Sequence, residues 1–118
     1  MATLKLTVVL PHKVSNNTFY RTHFHLKSSI KNDFYRVVQI AVKQSKLKPI
    51  LDYPANFVYE FHNKGRLLDL TNYGASVKML EDGLKECGIL KDDSPKFVSR
   101  ITITAEKTTS PDFVNIYY

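Results

Sequence analysis

Two stretches of this chain alternate along their length, and a helical pattern lies between them. "ANFVYEFH" (55–62) carries Phe57, Tyr59 and Phe61 on one face, and "FVSRITITA" (97–105) carries Ile101, Ile103 and Ala105. A period of two places every second side chain on one side of a sheet, so both stretches are expected to be strands with these residues inward. Between them, Tyr73, Val77, Leu80 and Leu84 recur at helical spacing from about Leu70 to Cys87, and Gly88 is the natural stop. Thr71, Ala75, Lys78 and Asp82 fall on the opposite stripe, so Lys78 and Asp82 can pair on one helix face.

The flanking segments complete the pattern. "LKLTVVL" (4–10), ended by Pro11, is expected to be a strand. The polar, aromatic and basic run 11–29 reads as a long loop with a short strand near 22–26. A first helix from about Ser28 to Lys46 follows from Ile30, Phe34, Val37, Val38, Ala41 and Val42, with Ser28 or Ser29 as its cap. Pro49 and Pro54 bracket a connector, and "DFVNIYY" (112–118) reads as the last strand. The order strand, helix, strand, helix, strand, strand implies an α+β fold, with two main helices packed on one small mixed β-sheet. At 118 residues, the whole span 1–118 fits one domain with a modest core.

Charge narrows the partners. Seventeen Lys+Arg against eleven Asp+Glu give a formal net charge of +6, which favours a polyanion, nucleic acid first. The single cysteine, Cys87, excludes an intrachain disulfide, and no neighbouring base marks it as a nucleophile. The apolar run at the start is too short for a signal peptide or a membrane span, so a cytoplasmic protein with no membrane partner is expected. His23 and His25 would share one face of the expected short strand, but two ligands without a third make a weak transition-metal site.

Against this basic background the acidic residues cluster. Asp69 precedes the second helix, Asp82 sits on it, and Asp92-Asp93 follows its glycine stop. Taken singly, these are a macrodipole partner, a solvated ion pair and a soluble turn. Adjacent like charges repel unless something positive lies near. If the chain reverses after Gly88, Asp69 and the Asp92-Asp93 pair could form an oxygen-ligand site for Mg²⁺, a cation that takes one or two carboxylates plus water and substrate phosphate.

These residues, in this order, resemble the RusA family of Holliday junction resolvases. "DLTN" (69–72) is similar to the family's Asp-x-Asp-Asn step. Lys78, Asp82, Leu84, Gly88, Leu90 and Asp92-Asp93 follow its helix lysine, Asp-x-Leu step, glycine and terminal acidic pair. "LP…SNNTFYR" (10–21) resembles its N-terminal segment, so the likeness runs along nearly the whole chain. The resemblance implies a small homodimeric, Mg²⁺-dependent (or Mn²⁺-dependent) endonuclease from a bacterial or phage-infected cytoplasm. Such an enzyme resolves four-way or branched DNA junctions by paired symmetric nicks. It places the metal on Asp69 and Asp93 with Asp92 alongside, and the catalytic roles on Asp69, Lys78 and Asp93. Lys64, Arg66, Asn16, Asn17, Arg21 and Asn72 would contact DNA, and Phe19, Tyr20 and Phe24 are candidates for packing on bases. The "DFVNIYY" tail and the first helix are candidate dimer surfaces.

Two departures bear on activity. Thr71 stands where the family has its second aspartate, and about three extra residues, close to one helical turn, separate Asn72 from Lys78. Either Asn72, Asp82 or Glu60 completes the metal shell, or the site is weakened. The alternatives are therefore a catalytically inactive junction-binding protein of the same fold, or a small RNA-binding or protein-interaction domain.

Overall fold

Phe57, Tyr59 and Phe61 are each at most 1% exposed, and they make the strand that carries them the spine of the core. Burying each such side chain is worth about 1.5–3 kcal/mol. In the computed structural model, which describes residues 4–118, this is strand β2 (Ala55–Asn63). The other elements are β1 (Lys5–Val9), α1 (Asn16–Arg21), α2 (Phe24–Ser45), α3 (Gly74–Glu86), β3 (Val98–Lys107) and β4 (Phe113–Tyr117). A 3-10 turn at Leu70–Tyr73 runs straight into α3.

The four strands form one mixed sheet in the order β1-β4-β2-β3. β4 runs antiparallel to both β1 and β2, while β2 and β3 are parallel and joined through α3. Leu6 and Val8 of β1, Val114 and Ile116 of β4, and the β2 aromatics bury one face together with Phe34, Val38, Leu80 and Leu84 of the helices. The helices meet closely where Gly83 of α3 faces Val38 of α2. The fold is thus the expected α+β arrangement with helices on one small mixed sheet. Among the described residues no helix is long and apolar enough to cross a membrane.

Four local expectations need correction. Residues 11–29 are not a loop with a strand near 22–26. Ser15 accepts the Thr18 N–H at 3.1 Å and caps α1, whose Phe19 anchors in the core. The first long helix begins at Phe24 instead of Ser28, with the His23 ring accepting the His25 N–H. Helix α3 is enclosed on more sides than a single stripe predicts, because Ala75, Ser76, Met79 and Glu81 are buried as well. Ile101, expected inward, is 43% exposed, because β3 is the sheet's end strand and packs mainly beside β2 and the 3-10 turn. The "DFVNIYY" tail forms strand β4 as expected, and both of its edges are paired within the sheet.

Candidate functional site

Helix α3 carries Lys78, Glu81, Asp82 and Lys85, a spacing of i, i+3, i+4 and i+7 that aligns them along one side. What joins them to the acidic pair is the turn after the helix. Gly88 takes φ 75°, the left-handed region open to glycine, and the chain folds back so that Ile89 and Leu90 both donate their N–H groups to the Leu84 carbonyl. Ile89 and Leu90 are buried and anchor the return. Tyr53 accepts the Lys91 N–H at 3.0 Å and fixes the start of the acidic pair.

The result is one lysine–carboxylate cluster. The Lys78 ammonium donates to Asp93 and lies 3.2 Å from Asp82. Lys85 lies 3.5 Å from Asp93 and 3.7 Å from Asp92, and the Asp93 N–H donates to Asp92. The hydrogen bond from Lys78 holds the Asp93 carboxyl below the usual carboxylate range, and in turn Asp93 raises the Lys78 ammonium. Glu81 is the exception. Burial, then the charge of Asp93, pushes its carboxyl up to about 7. Four carboxyl groups against two ammonium groups give the cluster an acidic excess in a chain of net charge +6.

Asp69 occupies a different local setting. It precedes the 3-10 turn, its backbone carbonyl accepts the Asn72 N–H, and its exposed carboxylate makes no capping bond. Among the described residues it shares no hydrogen bond or ion pair with the Lys78–Asp93 cluster. The N-terminal segment does reach this turn. Asn16 donates to the Thr71 carbonyl at 2.8 Å and accepts the Ala75 N–H at 2.6 Å, clamping the start of α3. A Cβ on Gly74 would stand 3.2 Å from the Asn16 amide, so glycine there keeps room for the clamp. Lys13 also donates to the Arg66 carbonyl.

The remaining expected contacts divide clearly. The side chains of Asn17, Arg21, Lys64 and Arg66 are exposed, whereas Asn72 is half-buried. Of the aromatics, Phe19 belongs to the core, while Tyr20 and Phe24 are 64% and 72% exposed. His23 and His25 flank the start of α2 with stacked rings instead of sharing a strand face. Glu60 lies in β2, where it pairs with His62 at 2.7 Å and accepts from Asn115 at 3.0 Å, and Asp82 is held by Lys78. Lys78 holds Asp93 as well, so its ion pair does not by itself set Asp82 apart from the expected ligand.

Glu81 and Lys85 were not singled out by sequence. The spacing Lys78, Glu81/Asp82, Lys85 already held the signal for Lys85, but nothing local in "LEDGL" announces that Glu81 is buried. The acidic donors here are all carboxylate oxygens, which suits a hard cation completed by water and phosphate and does not suit zinc. Among the described residues no group of three or more His, Cys, Asp or Glu side chains is arranged to hold a metal by itself. The chain matches no family model, and no curated protein matches it.

Proposed function

We propose that this chain is a RusA-like endonuclease that nicks branched DNA, four-way junctions above all, as a homodimer with Mg²⁺. The observation that carries the assignment is the return after Gly88, which lays Asp93 against Lys78 across 15 residues of sequence. Asp69 and Asp93, with Asp92 alongside, would hold the ion together with substrate phosphate and water. Its chemistry is Lewis-acid polarisation of the scissile phosphate and activation of water. The protein's own groups have defined tasks around it. Lys78 holds the Asp93 carboxyl below the usual range, and its ammonium would offset charge developing on the phosphate. Asn16 fixes the turn that carries Asp69 and Asn72. The exposed Arg21, Lys64 and Arg66, with Asn17, suit contacts to the DNA backbone.

A second reading is favoured by Thr71 and by the two lysines already seated on Asp92 and Asp93: a junction-binding protein without hydrolysis. One experiment separates them. Synthetic four-way junctions are incubated with the wild type, Asp69→Asn and Asp93→Asn, with Mg²⁺ or Mn²⁺, and both nicking and binding are measured. Symmetric nicks by the wild type alone, with binding kept by all three, support the nuclease. Binding without nicks by any of them supports the inactive protein, and near-wild-type nicking by either variant removes the proposed residues from the chemistry.

A further inference from the structure

β3 ends the sheet with ten residues, Val98–Lys107, and most of them are exposed. The other end strand, β1, has only five residues, begins with Lys5 and is closely followed by Pro11, which is how natural sheets blunt an edge. β3 has no proline, and its outer edge has no backbone partner among the described residues.

The hydrogen-bond phase of that edge is readable. The Asn63 carbonyl accepts the Thr108 N–H, and Asn63 stands opposite Lys107. Odd-numbered residues of β2 therefore bond even-numbered residues of β3 along this parallel ladder. Ile101, Ile103 and Ala105 turn their N–H and C=O groups outward, to the open edge. Their side chains lie on the helix-bearing face beside Phe57, Tyr59 and Phe61, in a register where the helices leave Ile101 43% exposed.

We propose that β3 is the seam of a homodimer, in which two copies pair their β3 edges antiparallel about a two-fold axis centred on Ile103. Self-complementarity selects that register. Ile103 then faces its own copy, and Ile101 faces the other chain's Ala105, giving a continuous apolar strip. On the opposite face Arg100 stands across from Glu106 of the second copy, twice by symmetry. Moving the centre by one residue to Thr102 sets Arg100 against Thr104 and loses both charge pairs. The result is an eight-stranded sheet in which the unpaired backbone groups of both edges are satisfied.

The proposal rests on the homodimer part of the nuclease assignment but is tested without DNA, so a dimer that ignores both substitutions removes the seam and leaves that assignment standing. Arg100→Glu and Glu106→Arg are purified separately, checked for folding by circular dichroism, and examined by sedimentation equilibrium alone and mixed. Each variant alone places like charges opposite one another at two symmetric positions, and its self-association should weaken roughly tenfold or more. The mixture should recover the wild-type affinity, because every pair in the heterodimer is again of opposite charge. Dimerisation of either variant with unchanged affinity, a mixture no tighter than its components, or a wild type that stays monomeric across the concentration range would each overturn the β3 seam.

Discussion

Replacing Glu81 by glutamine should stabilise the protein at neutral and alkaline pH and leave it nearly unchanged in acid. Glu81 is 5% exposed on α3 and shares its surroundings with Asp82 and Asp93 on one side of the charge balance and Lys78 and Lys85 on the other. Burial dominates, and the carboxyl rises from 4.5 to about 7. At 1.36 kcal/mol per pKa unit, ionising it inside the fold costs about 3 kcal/mol. The folded state binds this proton more tightly than the unfolded state. The associated stability is therefore fully present below about pH 4.5 and is lost as pH rises through 7. Glutamine carries no such proton. The stability difference between Glu81→Gln and wild type should thus grow by about 3 kcal/mol between pH 4.5 and pH 8, which is roughly 10 °C in melting temperature for a domain of this size. Urea titrations of both proteins at half-unit pH intervals measure it, and the carboxylates remote from Glu81 cancel in the difference. A pH-independent difference would refute the claim that Glu81 is held protonated by its surroundings.

Three other outcomes are expected. Gly83→Ala gains about 1 kcal/mol of helix propensity but sets a methyl 3.0 Å from Val38, which is fully buried. Over-packing of this kind costs about 1–3 kcal/mol, so denaturant unfolding should show a net loss that shrinks in the Gly83→Ala/Val38→Ala double variant. Thr71→Asp should increase Mg²⁺-dependent nicking of four-way junctions, because it adds a carboxylate near Asp69 where the described residues gather no group of three metal-ligating side chains; lower nicking would mean that the shell is already complete. Binding to junction DNA should weaken steeply with salt, with a logarithmic slope of about −0.9 per phosphate contact, and a flat dependence measured by fluorescence anisotropy would favour a protein-interaction domain.

Sequence carried the sheet more faithfully than the helices. The four strands stand where alternation or β-branched runs placed them, because a half-buried strand needs a period of two whatever its neighbours are. Helix starts were less legible. The onset of α2 depends on the His23 ring serving as a cap, and α1 depends on Ser15 and Thr18 acting together within an aromatic, basic stretch that resembles a loop in composition. In the candidate site, the Lys78–Asp82 pair followed from helical spacing, and Asp93 joined it once Gly88 had turned the chain. The burial of Glu81 is a tertiary fact set by the packing around α3. The exposure of Ile101 likewise depends on sheet order, and an alternating pattern reads the same at the edge of a sheet as at its centre.

The sheet order also governs how the fold can be reached in time. β4 is the last of the four strands along the chain, yet it lies between β1 and β2, the first two. During synthesis α2 and α3 can form early, and β2 can meet β3 as soon as the segment around α3 is complete. β1 has no strand partner until β4 arrives across more than a hundred residues, with Lys5 paired to Tyr117. Closing so long a loop is an entropic barrier that local contacts cannot lower. A nascent chain with β1 and the inner edge of β2 still open presents two unpaired β edges at once. The topology therefore makes the docking of β4, and with it the pairing of β1, a late step of folding.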